Sequence, residues 1–274
     1  MHMRLTLGVV AVSFAAGVLA MIGSGPASAE STWELINRTG KLRSAVLDSP
    51  PYWWREGGKW KGAMITMSED IAKNLGVQLE LVEVGGWGQT VLNLTGGHTD
   101  MSFSMQATPV RAKAIDFAGP AYYIASTAIN ADKFHGKTWD EFNKPEVTVA
   151  VELGSASETI LRKQAPKSKV LGLTTLSEAL LTVKSGRADA FVTTSMIALI
   201  SNGTNPDLGE VITPTPVVAL PGYIGVRQDV GDTRFRDFLN WWCEWNRLLG
   251  INERLLKEAL TERGLKDIPE HVHF

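Results

Sequence analysis

The sequence predicts an α/β protein of two lobes, each a mostly parallel sheet flanked by helices. Three features carry this reading. Extended apolar stretches alternate with helix starts marked by capping residues, the order that right-handed crossovers turn into parallel sheets. That order runs through twice on one plan: "TGGHTDMSFS" (95–104) and "KSGRADAFVT" (184–193) align Gly97 with Gly186 and Asp100 with Asp189. Each pair closes a helix and opens a strand. Finally, "ITPTPVVALPGYIGV" (212–226) is extended and punctuated by proline, as a segment crossing between lobes would be. The chain divides accordingly into an N-terminal leader (1–29), a first lobe (30–126), a second lobe (127–217), and a return to the first with closing helices (218–274).

Local signals justify the elements in turn. Ser31-Thr32-Trp33-Glu34 is a capping box that opens a short helix. "KLRSAVL" (41–47) is a strand that Ser49-Pro50-Pro51 ends. Thr66-Met67-Ser68-Glu69 is a second capping box, expected to open "SEDIAKNLG" with Gly76 as the C-cap stop. "VQLELVEV" alternates as a strand does, "GQTVLNLTGG" is a short helix with a glycine stop, and "DMSFSM" is the next strand. Thr108-Pro109 opens another helix, with threonine at the N-cap and proline at N1, where its missing N–H is harmless. In the second half Thr138 to Glu141 box a short helix. "EVTVAVELG" is a strand, "SASETILRKQA" a helix and "SKVLGL" a strand. Thr175 to Glu178 box a helix with Leu176, Ala179, Leu180 and Val183 on one face, and "RADAFVT" is the strand after it. From Thr233 to Arg263 the chain reads as helix with an apolar face that docks on a lobe.

At 274 residues, 44% hydrophobic and 20% charged, the composition is that of an ordinary globular protein able to bury two cores. A formal charge of −2 gives no field that would favour nucleic acid or an anionic membrane. The leader has Arg4, an uncharged apolar run, a helix-breaking "GSGPASA" and Ala27-Ser28-Ala29, the layout of a signal peptide cut after Ala29. A retained anchor is the alternative, since Leu5 to Ile22 is about long enough to span a membrane. The single cysteine, Cys243, excludes an intramolecular disulfide and lies among large apolar residues as a structural thiol. His271 and His273 read as a solvated tail rather than half a metal site.

In open α/β sheets ligands sit beyond the carboxyl ends of the strands, so a cleft between the lobes is the expected site. Thr108 and Arg111 share the first turn of their helix, where a hydroxyl, backbone donors and a guanidinium converge on one spot suited to a carboxylate. The competing assignment pairs Arg111 with Asp116. Tyr52, Trp53, Trp54 and Trp87 follow strand ends, and one or two of them are expected on the ligand with the rest in the core. Gly154, Ser155, Ala156 and Ser157 form a strand-to-helix turn that offers a second small-anion nest, or simply an N-cap. Motifs for nucleophilic, phosphate-transfer or metal chemistry are missing. The acids Asp48, Glu152 and Glu158 stand near turns without a visible acid–base partner, so no catalytic residue, metal or cofactor is expected.

From Lys41 to the closing helices the chain resembles the bacterial extracellular solute-binding proteins of family 3. The ordered motifs that carry the resemblance include "LDSPPYWW", "GGWGQTVLNLTGGHTD", "SMQATPVRAKAIDFAGPAYY", "VTVAVELGSASE", "SGRADAFVTTS" and "LPGYIGVRQ". It implies a periplasmic binding protein-like fold whose two lobes are joined by a two-segment hinge. By the same resemblance Arg111 grips a ligand carboxylate, Ser104, Gln106 and Thr108 donate hydrogen bonds, and Trp87 packs on the ligand. Two departures bear on specificity. Thr194 stands where the family usually has an aspartate for the ligand's ammonium, and Ala156 replaces a hydroxyl between Ser155 and Ser157. A third, "GAMIT" for the common "GFDVD", leaves Thr66 in a capping role. The resemblance thus implies a monomeric periplasmic receptor that binds a small carboxylate-bearing solute, an amino acid or an aromatic acid. Its partner would be an inner-membrane ABC permease. The alternatives are an exported dehydratase acting on prephenate-like dicarboxylates, or a ligand-sensing module for a membrane signalling partner.

Overall fold

The computed structural model describes residues 30–265; the predicted signal peptide and the terminal His271 and His273 lie outside them. Helix α1 (Thr32–Thr39) opens on the predicted box, with Ser31 Oγ accepting from the Glu34 N–H, and Gly40 ends it in the left-handed region. Strand β1 (Lys41–Val46) follows. A hairpin of β2 (Trp54–Glu56) and β3 (Lys59–Lys61) turns on Gly57-Gly58, a two-glycine hairpin signal the sequence reading passed over. Helix α2 (Ala63–Leu75) starts before the Thr66 box, which is a correction: Gly62 is the N-cap and Thr66 lies inside the helix. Packing decides the start. Ala63, Met64 and Ile65 are buried, and a Cβ on Gly62 would stand 2.2 Å from the Tyr52 carbonyl oxygen. Gly76 caps the other end at φ 70°, as expected.

Next come β4 (Gln78–Glu83), α3 (Trp87–Thr95), β5 (Met101–Met105), α4 (Pro109–Ala112) and β6 (Ile115–Asn130). The second lobe adds α5 (Trp139–Phe142), β7 (Thr148–Glu152), α6 (Ala156–Gln164), β8 (Lys169–Leu173), α7 (Leu176–Lys184), β9 (Ala190–Thr194) and α8 (Ser195–Thr204). The chain then runs through β10 (Glu210–Ile212) and β11 (Ala219–Arg227) to α9 (Arg234–Leu248) and α10 (Ile251–Glu262).

The strands lie in the order β4-β1-β5-β11-β6-β9-β7-β8, with β10 also on β6. β1 runs parallel to β4 and β5, and β7 parallel to β8 and β9. The antiparallel strands β6 and β11 make the connection. β6 pairs with β11 from Ile115 to Ala125 and with β9 from Ser126 to Asn130, so one strand belongs to both lobes. Sequence reading missed β6 because Gly119-Pro120 interrupts it. The register of β11 shifts opposite that pair, between Gly222 and Ile224, and proline is tolerated at such an irregularity.

The first lobe and the closing helices share one large core, in which Cys243 is buried and its thiol is pushed up to about 12. In the second lobe, β7 alternates its faces. Val149 and Val151 join Trp139 and Phe142 on one side, while Ala150 joins Ala179 and Phe191 on the other. Among the described residues no helix is long and apolar enough to cross a membrane.

Candidate ligand-binding cleft

The carboxyl ends of β5, β7 and β9 converge on a small cavity of about 20 Å³ between the lobes. From the first lobe Tyr52, Trp87, Ser104 and Gln106 line it; from the second, Glu152, Ser155, Ser157 and Thr194. A larger depression along α10 is an open face of ion-paired side chains such as Lys257–Glu253 and encloses nothing.

Arg111 and Thr108 stand behind Gln106 rather than in the cavity wall. Thr108 Oγ1 accepts from the Arg111 N–H at 3.3 Å, the predicted cap. The Arg111 guanidinium is 6% exposed and reaches across the cleft. It donates to the Gln106 carbonyl at 3.2 Å and to the Gly154 carbonyl of the second lobe at 2.7 Å. Among the described residues no carboxylate pairs with it, and Asp116 is held by Arg236 at 3.2 Å. Burial pulls the guanidinium down to about 10.

Of the four aromatics, Tyr52 and Trp87 reach the cavity; Trp53 is fully buried and packs on Trp87, and Trp54 lies beneath Arg263. Ser104 has φ 59°, the one non-glycine residue with positive φ among those described, and its hydroxyl meets Tyr122 OH at 2.5 Å. Tyr122 stacks on Tyr52, whose hydroxyl meets Thr194 Oγ1 at 3.3 Å, so a polar chain runs from lobe to lobe. Burial drives both phenols well above their ordinary range.

The second anion nest is largely filled by the protein itself. The Gly154 N–H donates to Glu158 Oε2 at 2.8 Å, and Ser155 Oγ accepts from the Glu158 N–H at 3.1 Å. Ser155 is therefore a helix cap, and Glu158 in turn is held by Arg162. Gly154 itself sits at φ 73°, and a Cβ there would come within 3.3 Å of the Gly88 nitrogen in the first lobe. The cavity also takes in Glu152, at the end of β7, an acid that the sequence shows near a turn but does not place in the site. It is 9% exposed, and desolvation raises its carboxyl to about 7. Its signal was an acid closing the otherwise apolar strand "TVAVE". Among the described residues no cluster of His, Cys, Asp or Glu is placed to hold a metal ion.

Residues 42–199 match the bacterial extracellular solute-binding proteins, family 3. The chain belongs to this family. Among its relatives, the cyclohexadienyl dehydratase of Pseudomonas aeruginosa is 24% identical over 252 residues, covering 89% of this chain and 92% of that one. The arginine-binding extracellular protein ArtP of Bacillus subtilis is 27% identical over 170 residues, 61% of this chain and 66% of its own. The solved structure of the ancestral amino acid-binding protein AncCDT-1, a precursor of cyclohexadienyl dehydratase, is similar at TM-score 0.72 and 29% identity. That match covers 84% of this chain and 99% of the other. The fold is also that of the solute receptor for L-cysteine of Neisseria gonorrhoeae, at TM-score 0.76 and 22% identity over 89% of this chain and 100% of that one. The two-lobed fold expected of a family 3 protein is therefore the observed one.

Proposed function

We propose that this family 3 protein is a periplasmic receptor that closes its lobes on a small carboxylate-bearing solute, an amino acid or a related acid, and delivers it as a monomer to an ABC permease. One observation carries the reading. Arg111 is a buried cation whose side-chain hydrogen bonds, among the described residues, go to two main-chain carbonyls. Removing a guanidinium from water without an opposing charge is costly, so the position favours an incoming anion, and a carboxylate fits the fork with two hydrogen bonds. The Gly154 carbonyl now holding that fork belongs to the opposite lobe, so a ligand that replaces it would become the bridge between lobes. Tyr52 and Trp87 supply flat apolar walls around it. β6 and residues 213–218 between β10 and β11, which cross between the lobes, are the segments about which a hinge would bend. The apolar leader and the family's extracellular character support export. The binding of arginine by ArtP and of amino acids by AncCDT-1 supports the ligand class.

The test is a thermal-shift screen of amino acids and small carboxylates against wild type and Arg111→Met. A ligand at about 100 times its Kd adds about 2.7 kcal/mol, enough for a shift of a few degrees. Stabilisation in wild type that vanishes in Arg111→Met, with ligand-free melting unchanged or raised, is the expected result. A shift that survives the substitution would place the carboxylate elsewhere.

Glu152 and the dehydratase relative together favour one second reading, an enzyme. A carboxyl protonated near neutral pH would pass its proton to a departing hydroxyl, which leaves as water, while the ring carboxylate leaves as carbon dioxide and its electron pair completes the aromatic ring. Appearance of an aromatic product from a hydroxylated cyclohexadienyl acid, lost in Glu152→Gln, would establish it.

A further inference from the structure

The carboxylate clamp leaves a charge on the opposite wall of the cleft unused. Glu152 ends β7 where the closed cavity meets a wider groove of about 460 Å³, and it lines both. Its carboxyl makes no hydrogen bond and no ion pair among the described residues, although the side chain is nine-tenths buried. The preceding residues Val149, Ala150 and Val151 are wholly buried, so an apolar side chain would suit the end of this strand. Burying a carboxylate in its place is costly unless something pairs with it.

The groups around Glu152 supply no such partner. On the cavity side stand the hydroxyls of Tyr52, Ser155, Ser157 and Thr194. In the groove the charged residues are Asp48, Glu83 and Arg263, and Arg263 lies over the Trp54 ring. Arg111 is engaged by the Gln106 and Gly154 carbonyls. Hydroxyls can accept or donate, but they do not neutralise an acid.

We propose that Glu152 receives a cationic nitrogen of the bound solute, so that the cleft reads an acid carrying an ammonium or guanidinium group between Arg111 and Glu152. This rests on the receptor reading and sharpens its ligand class. It also supplies the charge that Thr194, in place of an aspartate, does not.

Calorimetric titration of the purified wild type, Glu152→Gln and Arg111→Met tests it with paired probes. These are L-arginine, L-glutamine and L-phenylalanine, each beside its deaminated acid. Deaminated arginine keeps the guanidinium, whereas the other two deaminated acids carry no cation. A charge-assisted bond corresponds to about ten- to hundred-fold in affinity. Glu152→Gln is therefore expected to weaken the cation-bearing probes by that factor while leaving the purely anionic acids unchanged or tighter. A loss with deaminated arginine assigns the contact to the guanidinium; a loss confined to probes with an α-amino group assigns it to the ammonium. Equal losses for cationic and anionic probes, or none for the cationic ones, overturn the inference. If wild type binds the acids and their amino counterparts equally and Arg111→Met abolishes both, the receptor reading survives and Glu152 has no such role. If folded wild type binds no member of the panel, the receptor reading falls, and this inference with it.

Discussion

The corners Gly97–Asp100 and Gly186–Asp189 do the same work in the two lobes, whereas near the cleft the first lobe brings a cation on α4 and the second an acid at the end of β7. Gly97 and Gly186 turn at φ 68° and 70°. Asp100 and Asp189 each donate an N–H to the neighbouring strand, to the Arg43 and Thr148 carbonyls, at 2.8 Å. Each also accepts from the N–H of that same residue at 2.7 Å. The side chains then diverge. Arg43 closes on Asp100 with a second charged contact of 2.5 Å, and Thr148 offers nothing comparable to Asp189. At the cleft the divergence is complete, with Arg111 buried behind Gln106 of the first lobe and Glu152 in the cavity wall of the second. The main-chain scaffold repeats because a strand must be pinned at its start in either lobe, while side chains beyond that requirement are free to differ.

Breaking the corners gives the largest expected effect. Asp100→Ala removes a buried carboxylate from both a guanidinium and a backbone donor, for about 3 kcal/mol. Asp189→Ala loses the backbone contact alone, for about 1–2 kcal/mol. Urea unfolding of the pair measures the difference; equal losses would mean that Arg43 adds nothing to the first corner.

The charge on the second wall comes next. The folded Glu152 carboxyl holds its proton up to about 7, above its ordinary value of 4.5, because burial disfavours the anion. Between those values the folded state binds more protons than the unfolded one, so this group's contribution falls as pH rises and is lost above about 7. Glu152→Gln should therefore stabilise the ligand-free protein by about 2 kcal/mol at high pH and change little below the ordinary carboxyl range. Thermal melting across the pH range checks this, and a pH-independent gain would assign the effect to packing.

The smallest effect tests how the walls meet. Gly154→Ala puts a Cβ on a residue at φ 73° and against the Gly88 nitrogen, at a cost of about 1–2 kcal/mol. The φ strain lowers stability with the lobes open or closed, whereas the Gly88 contact exists only with the lobes together, so ligand affinity should also fall, by less than the tenfold that about 1.4 kcal/mol would give. Gly186→Ala, at φ 70° but with open space around its Cβ, should lower stability without touching affinity.

Much of this was legible in the chain. The boxes at Ser31, Thr138 and Thr175 fixed their helix starts, because a cap is made by residues three apart and needs no distant partner. Thr66 misled for the converse reason: the burial of Ala63 to Ile65, set by the rest of the core, drew the helix past its local signal. Thr108 and Arg111 were readable as a capped turn, yet the guanidinium's hold on Gly154 was not, since the two are 43 positions apart. Nor could the sequence show that Glu158 fills the nest beside Ser155 or that Glu152 is left without a partner.

By itself, then, the sequence determined most of the elements, their repetition in two lobes and the capped turn of Thr108 and Arg111, because caps, alternation and motif order are local or additive. Only the tertiary structure decided which aromatics face the cleft, how one strand serves both lobes, and that Arg111 and Glu152 are both buried without a charged partner among the described residues. Burial and charge pairing depend on groups brought together from distant positions, and their energies exist only once those groups have left water.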